Sequence, residues 1–232
     1  MLKRAPPTPS ATQERMNWNP ELTELTTAAT DAVLAILSMV ALVAVRRRRP
    51  ADPWKADLWS WMLGLLAAAS LLGAIAHGFA LTEGTTDLLW QPLYLSLGLV
   101  VALFLVGAIR DDFGEPAARR ALPWMIGIGI GFFLVTRLVS GSFLVFVAYE
   151  GVAMLAALAL FADAAIRKGV SGAGLMTLGV GLNLAAAAVQ QSSAQVSIAG
   201  IPFDNNGLFH LVQMVALIVL TAGVLRGLSR AP

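Results

Sequence analysis

The chain contains two histidines, His77 and His210, and both fall in strongly apolar surroundings. Each belongs to a polar pattern with helical spacing. Asn206, His210 and Gln213 follow at i, i+4 and i+7, so they share one helix face. Gly207 keeps the backbone beside His210 accessible. Ser70, Gly73 and His77 form a similar stripe. A few other polar residues interrupt apolar runs, namely Asp31, Gln91, Arg137, Glu150, Asn183 and Gln190. Imidazoles near carboxylates can hold a divalent metal, exchange protons as acid and base, or ligate a haem. With no cysteine in the chain, thiol catalysis, iron–sulfur clusters and Cys-ligated zinc are excluded.

These residues must be positioned by an unusually apolar scaffold. Of 232 residues, 57% are apolar and 13% charged, against about 25% charged in an ordinary soluble domain. So few charges cannot cover a water-exposed surface. A bilayer core about 30 Å thick needs roughly 20 apolar residues per helix. Seven stretches qualify: Glu24–Val45, Asp57–Ala80, Leu88–Ile109, Leu122–Val139, Ser142–Ile166, Ala173–Gln190 and Asn206–Leu225. They show no period-2 alternation, so the expected fold is an all-α bundle of seven transmembrane helices, not a β-barrel. Short connections leave no room for a soluble domain. Residues 1–20, rich in Pro, Ser and Thr, read as a flexible polar tail without the apolar core of a signal peptide. The transmembrane domain then covers residues 21–228, with a short tail over 229–232.

Lys and Arg set the orientation. Arg46, Arg47, Arg48, Arg49, Lys55, Arg110, Arg119, Arg120, Arg167, Lys168, Arg226 and Arg230 all fall at one set of helix ends. That asymmetry predicts an outside N-terminus and an inside C-terminus. It also reads Arg46–Arg49 as a topology anchor, not a patch for nucleic acid or anionic lipid. Trp54, Trp59, Trp61 and Trp124 fit an interfacial belt at the inner ends. A rise of 1.5 Å per residue puts His77 and His210 roughly 5 Å below the outer boundary. Asp31, Glu150 and Gln213 lie about 10–12 Å deep by the same rise. The outer third is thus polar and the inner part nearly pure hydrocarbon, which predicts one outward-facing cavity lined by Asp31, His77, Gln91, Glu150, Asn206, His210 and Gln213. A plainer reading pairs Asp31 and Glu150 with Arg137 as structural glue. Gly127 and Gly131 form a G-x-x-x-G face expected to pack against another helix.

The segment Phe203-Asp204-Asn205-Asn206-Gly207-Leu208-Phe209-His210 resembles the last-helix motif of the alkaline ceramidase-like superfamily, which includes the adiponectin/progestin receptors and GPI-remodelling membrane proteins. Asp204, Leu208, Phe209 and His210 match a motif of the form D-A-H-A-L-W-H, and Asn206 stands where its first His is expected. The superfamily's S-x-x-x-H stretch late in the second helix is matched by Gly73-Ala74-Ile75-Ala76-His77, with Gly in place of Ser. Asp87 is the nearest match to an Asp early in the third helix. The resemblance implies a zinc ion held by His77 and His210, with a bound water attacking a lipid amide or ester. Zinc lowers the pKa of its water and polarises a carbonyl. Asp31, Asp87 or Glu150 would supply a third ligand or a general base, and Ser70, Gln91, Asn206, Gln213, Asn183 and Arg137 would line the cavity.

Two other classes compete. Both histidines could be axial ligands of a haem, although no second pair continues an electron path across the membrane. Alternatively, the cavity binds a lipid or small ligand without chemistry, as in a receptor or accessory subunit. A retinal Schiff base is excluded, because the only lysines are Lys3, Lys55 and Lys168 and none lies in the last span. A transporter would want paired broken helices, which are missing. The expected surroundings are membrane lipid, in a bacterial inner membrane judged from the Ala/Arg-rich, loop-poor composition. Oligomeric state is left open.

Overall fold

A computed structural model describes residues 17–139 and 142–229. Its helices are α1 (Leu22–Arg47), α2 (Pro53–Gly78), α3 (Glu83–Phe113), α4 (Glu115–Leu138), α5 (Ser142–Ile166), α6 (Ala173–Gln190) and α7 (Asn205–Gly227). All seven are long and apolar enough to cross a membrane. The expected tail lies outside the described residues as far as position 16. So do positions 140, 141 and 230–232, and with them Arg230.

Capping sets several boundaries. Asp52 accepts from the Lys55 backbone N–H at 2.9 Å, and Pro53 opens α2, so that helix starts before the apolar run does. Thr82 caps α3, five residues and more ahead of the apolar stretch. Asp204 caps α7 by accepting from Gly207 N at 2.8 Å.

Helices α1, α2, α3, α5, α6 and α7 neighbour one another in a ring, and α4 packs outside it against α3 and α5. Only Ala118, Gly129, Phe132 and Thr136 of α4 are buried. The expected G-x-x-x-G contact is not made. A Cβ on Gly127 or Gly131 would meet nothing within 4 Å. The close crossing instead uses Gly129 against Gly98 of α3, where an added Cβ would sit 2.8 Å from the Gly98 carbonyl oxygen. Rotation of α4 about its axis decides between the two glycine faces, and period alone does not encode it.

Two short strands, β1 (Val196–Ile198) and β2 (Ile201–Phe203), form an antiparallel hairpin between α6 and α7. Ala199 and Gly200 turn it with φ of 52° and 82°, the left-handed pair a two-residue hairpin turn requires. On the same side of the bundle, Trp18 bridges to Phe79 and stacks on its ring at 4.9 Å. This side is called here the hairpin end, and the opposite side the basic end.

The basic end is more polar inside than expected. The Lys55 Nζ donates to Asp111 Oδ1 at 2.7 Å, with both side chains almost fully buried. Arg110 joins through Asp111 at 3.0 Å and through Asp52. Lys168 pairs with Asp112 and, at 3.1 Å, with Asp163. Its hydrogen bond to Asp112 holds the Lys168 ammonium above the usual lysine pKa range. The picture of a purely hydrocarbon inner part is therefore corrected. Lys55 is a buried ion-pair partner as well as a charge at a helix end. Trp59 also leaves the expected belt: it is 1% exposed and packs edge-on to Phe104, whereas Trp61 and Trp124 are exposed.

Candidate functional site

Helix α1 turns Glu24, Thr27 and Asp31 inward at i, i+3 and i+7, a spacing that puts them on one face. Both histidines reach this face from neighbouring helices. His77 of α2 places Nδ1 2.7 Å from Glu24 Oε2. His210 of α7 places Nδ1 3.0 Å from Thr30 Oγ1 and Nε2 3.4 Å from Asp31 Oδ1. Thr27 donates to Asp204 Oδ1 at 3.2 Å, which ties the same α1 face to the cap of α7.

Gly73 makes this convergence possible. A Cβ at position 73 would lie 2.6 Å from Asp31 Oδ2 and 3.0 Å from its Cγ. The Asp31 carboxylate thus occupies the space that a serine side chain at that point of α2 would fill.

These groups open on a cavity of about 410 Å³ inside the ring. Asp31, Ser70, His77, Glu150, Asn206, His210 and Gln213 all line it, together with Gly73 and Gln190. Trp90, Tyr94, Phe143, Phe146 and several leucines make the facing wall. Trp90 meets the His77 ring edge-on at 5.9 Å. Asn206 accepts from Gln190 Nε2 at 3.2 Å, fixing α6 to α7 at the cavity rim.

Other expected members lie elsewhere. Asp87, Gln91 and Arg137 line a separate side cavity of about 320 Å³ between α3 and α4, with Trp90 and Tyr94 as the shared wall. Gln91 is therefore corrected out of the central cavity. Rotation along α3 points it toward α4, whereas Trp90 and Tyr94 line both cavities. Pairing of Asp31 or Glu150 with Arg137 is also overturned. Asp31 faces His210, and Glu150 accepts from Asn183 Nδ2 at 3.2 Å. Asn183 borders a deeper cavity and not the central one. Sequence reasoning missed Glu24, Thr27 and Thr30, whose only signal is a run of polar residues at i, i+3 and i+6 at the start of an apolar helix.

The donor set can be tested against zinc and haem. Among the described residues, no group of three or more His, Asp or Glu is gathered to hold a metal. The His210 nitrogens already face Thr30 and Asp31, and the His77 Nδ1 faces Glu24. Asn206, in the place of a third imidazole, is bonded to Gln190 and offers a neutral oxygen. The residues present do not fit a resident zinc. A bis-imidazole haem fits no better, because it needs one uncommitted nitrogen from each ring.

Seven helices long and apolar enough to cross a membrane, six of them in a ring around a cavity with one polar wall, define an integral membrane protein. The family of unknown function DUF6962 matches residues 26–229, and the chain belongs to that family. No curated protein matches the chain, and no solved structure does.

Proposed function

We propose that this protein binds an amphiphile bearing an amine or hydroxyl headgroup in its central cavity and does so without hydrolysing it. One observation carries the reading: the His210–Asp31 pair and His77, itself held by Glu24, line a cavity whose opposite wall is aromatic and aliphatic. A small ligand site is mostly apolar with a few convergent polar groups that fix orientation. The charged chemistry of the lining selects the headgroup. Asp31 and Glu150 line the cavity, and among the described residues no Lys or Arg does. Carboxylates accept hydrogen bonds and attract cations, whereas a phosphate or fatty-acid carboxylate would find no positive partner. The hydrolysis implied by the ceramidase resemblance is not carried over, because the donor set falls short of a metal centre. The proposed setting is a bacterial inner membrane with the hairpin end outside, since the basic residues gather at the opposite end.

The test uses the protein in lipid nanodiscs with dodecylamine and lauric acid as probes, read by thermal shift. Dodecylamine is expected to raise the melting temperature and lauric acid to leave it unchanged. Asp31→Asn should weaken the dodecylamine response about tenfold, as loss of one charge-assisted contact implies. Equal responses to both probes, or an Asp31→Asn variant that responds like the parent, would refute the proposal.

A further inference from the structure

The side cavity between α3 and α4 is set apart from the central one by its charges. Asp87, Gln91 and Arg137 line it, with Trp90, Tyr94, Phe133 and Thr136. Its volume of about 320 Å³ is at the small end of ligand sites, about 300–1,000 Å³, and suits a headgroup better than a whole lipid. One acid and one base face this space, and both are exposed. Among the described residues, neither forms an ion pair, with the other or with a third group. Opposite charges that line one cavity without meeting fit a ligand that itself carries both signs. Thr136 is already committed, because its hydroxyl donates to the Phe133 carbonyl at 2.7 Å. Gln91 is the neutral polar group left for the ligand.

Depth points to where that ligand comes from. Helix α3 has 31 residues, which makes it about 46 Å long against a hydrocarbon core of about 30 Å. Its first turns therefore reach the headgroup layer at the hairpin end. Asp87 is four residues into α3, about 6 Å from its start, and Arg137 is next to the last residue of α4. Both charges thus stand at headgroup level. The two helices meet closely at Gly98 and Gly129, about 12–16 Å deeper by the same rise. That crossing closes the space between them, and the cavity is the gap left on its hairpin side. Below Arg137 the surface turns apolar. Ile126, Ile130, Phe133 and Arg137 follow at steps of four, three and four, so they form one stripe of α4. Ile130 and the nearby Leu134 are exposed, as a helix packed outside the ring presents them to lipid.

We propose that this cavity holds the headgroup of a zwitterionic phospholipid from the surrounding membrane, with its phosphate on Arg137 and its ammonium on Asp87. A guanidinium matches phosphate oxygens through paired N–H bonds, and a carboxylate accepts from a primary ammonium. The aromatic lining strengthens the hold on the cation, and the Gln91 amide donates to a phosphate oxygen. The acyl chains lie along the Ile126–Ile130–Phe133 stripe. An anionic headgroup would satisfy Arg137 but bring a like charge to Asp87. A simple amine would satisfy Asp87 and leave Arg137 unused. The central cavity is lined by carboxylates and, among the described residues, by no Lys or Arg, so the two sites take different headgroups.

The experiment uses the full chain in dodecyl maltoside, titrated with dilauroyl phosphatidylethanolamine or dilauroyl phosphatidylglycerol and read by native mass spectrometry. The parent should retain one phosphatidylethanolamine per chain, with about tenfold preference over phosphatidylglycerol. Asp87→Asn should abolish or reverse that preference, because the like charge facing an anionic headgroup is gone. Arg137→Gln should weaken phosphatidylethanolamine about tenfold. Glycerophosphoethanolamine, the same headgroup without acyl chains, should not be retained. Equal retention of both lipids by the parent overturns the proposal, as non-selective lipid at the protein surface would give. So does a preference that survives Asp87→Asn, or retention that survives Arg137→Gln. Retention of glycerophosphoethanolamine as strongly as the lipid would make the ligand a soluble zwitterion and overturn the membrane source. Loss of phosphatidylethanolamine in Asp31→Asn but not in Asp87→Asn would place the lipid in the central cavity and overturn the site. If one of the two side-cavity variants does not fold, the other decides by its own outcome.

Discussion

Replacing Gly73 by alanine tests whether the Asp31 carboxylate is held where the structure puts it. The new methyl group would stand 2.6 Å from Oδ2, 3.0 Å from Cγ and 3.2 Å from Oδ1. Relief requires a shift of about 1 Å, since carbon and its neighbours rest near 3.5–4.0 Å. Helices α1 and α2 cannot simply part. They also touch where a Cβ on Gly78 would meet Ala28 at 3.4 Å and one on Gly64 would meet Leu42 at 3.5 Å. Asp31 must therefore swing away, giving up its 3.4 Å approach to His210. Overpacking of this kind costs about 1–3 kcal/mol, and the Gly-to-Ala change within a helix returns about 1 kcal/mol. The net expectation is a loss of about 0–2 kcal/mol. In an Asp31→Ala background the obstruction is gone, so the same substitution should be neutral or stabilising. The double-mutant coupling is then about 1–3 kcal/mol. Gly181→Ala in α6, where a Cβ meets nothing within 4 Å, is the reference. Melting temperatures of the four Gly73/Asp31 combinations read the coupling directly. Equal effects of Gly73→Ala with and without Asp31 would show that the carboxylate does not sit against α2.

Lys55→Met leaves the buried Asp111 with Arg110 as its remaining cation and should cost less than the roughly 3–5 kcal/mol of an unpaired buried charge, while Lys55→Met together with Arg110→Met should reach that range; chemical denaturation of both variants measures it. Gly129→Leu should disrupt the α3–α4 crossing and lower the melting temperature by several degrees, whereas Gly127→Leu should not; the reverse ranking would mean that α4 is rotated. Elemental analysis of protein purified without chelator should find far less than one zinc per chain, and a stoichiometric zinc would contradict the donor analysis. Single cysteines at Ser197 and Ser229 should react with an impermeant thiol reagent from outside and inside respectively, and the opposite pattern would invert the orientation.

Depth in the bundle was legible in the sequence, and rotation was not. Composition alone demanded a membrane, and runs of about 20 apolar residues located all seven helices, although α3 and α4 begin at Glu83 and Glu115, well ahead of the runs at Leu88 and Leu122. The fixed rise of 1.5 Å per residue then ordered the polar groups by depth. Because lipid rejects polar side chains, most of them had to face inward. That is why His77, His210, Asp31, Glu150, Asn206, Gln213 and Ser70 do line one cavity. Asp52 and Thr82 cap α2 and α3 ahead of their apolar runs, so polar capping and not apolarity sets where those helices begin.

What tertiary structure decided was the angular setting of each helix and its choice of neighbours. Gln91 and Trp90 are adjacent in sequence, yet only Trp90 faces the central cavity. Gly129 contacts α3 although Gly127 and Gly131 carry the recognisable motif. Glu24 is an acid in the first turn of α1, where the helix dipole favours it, and only the packing of α1 on α2 sets it against His77. Lys55 could be counted as a topology charge until the meeting of α2 and α3 gave it Asp111. Repeat and rise are properties of a single helix, so a sequence specifies them locally. Which face turns inward depends on how ridges and grooves of several helices fit together, and that is a property of the whole bundle.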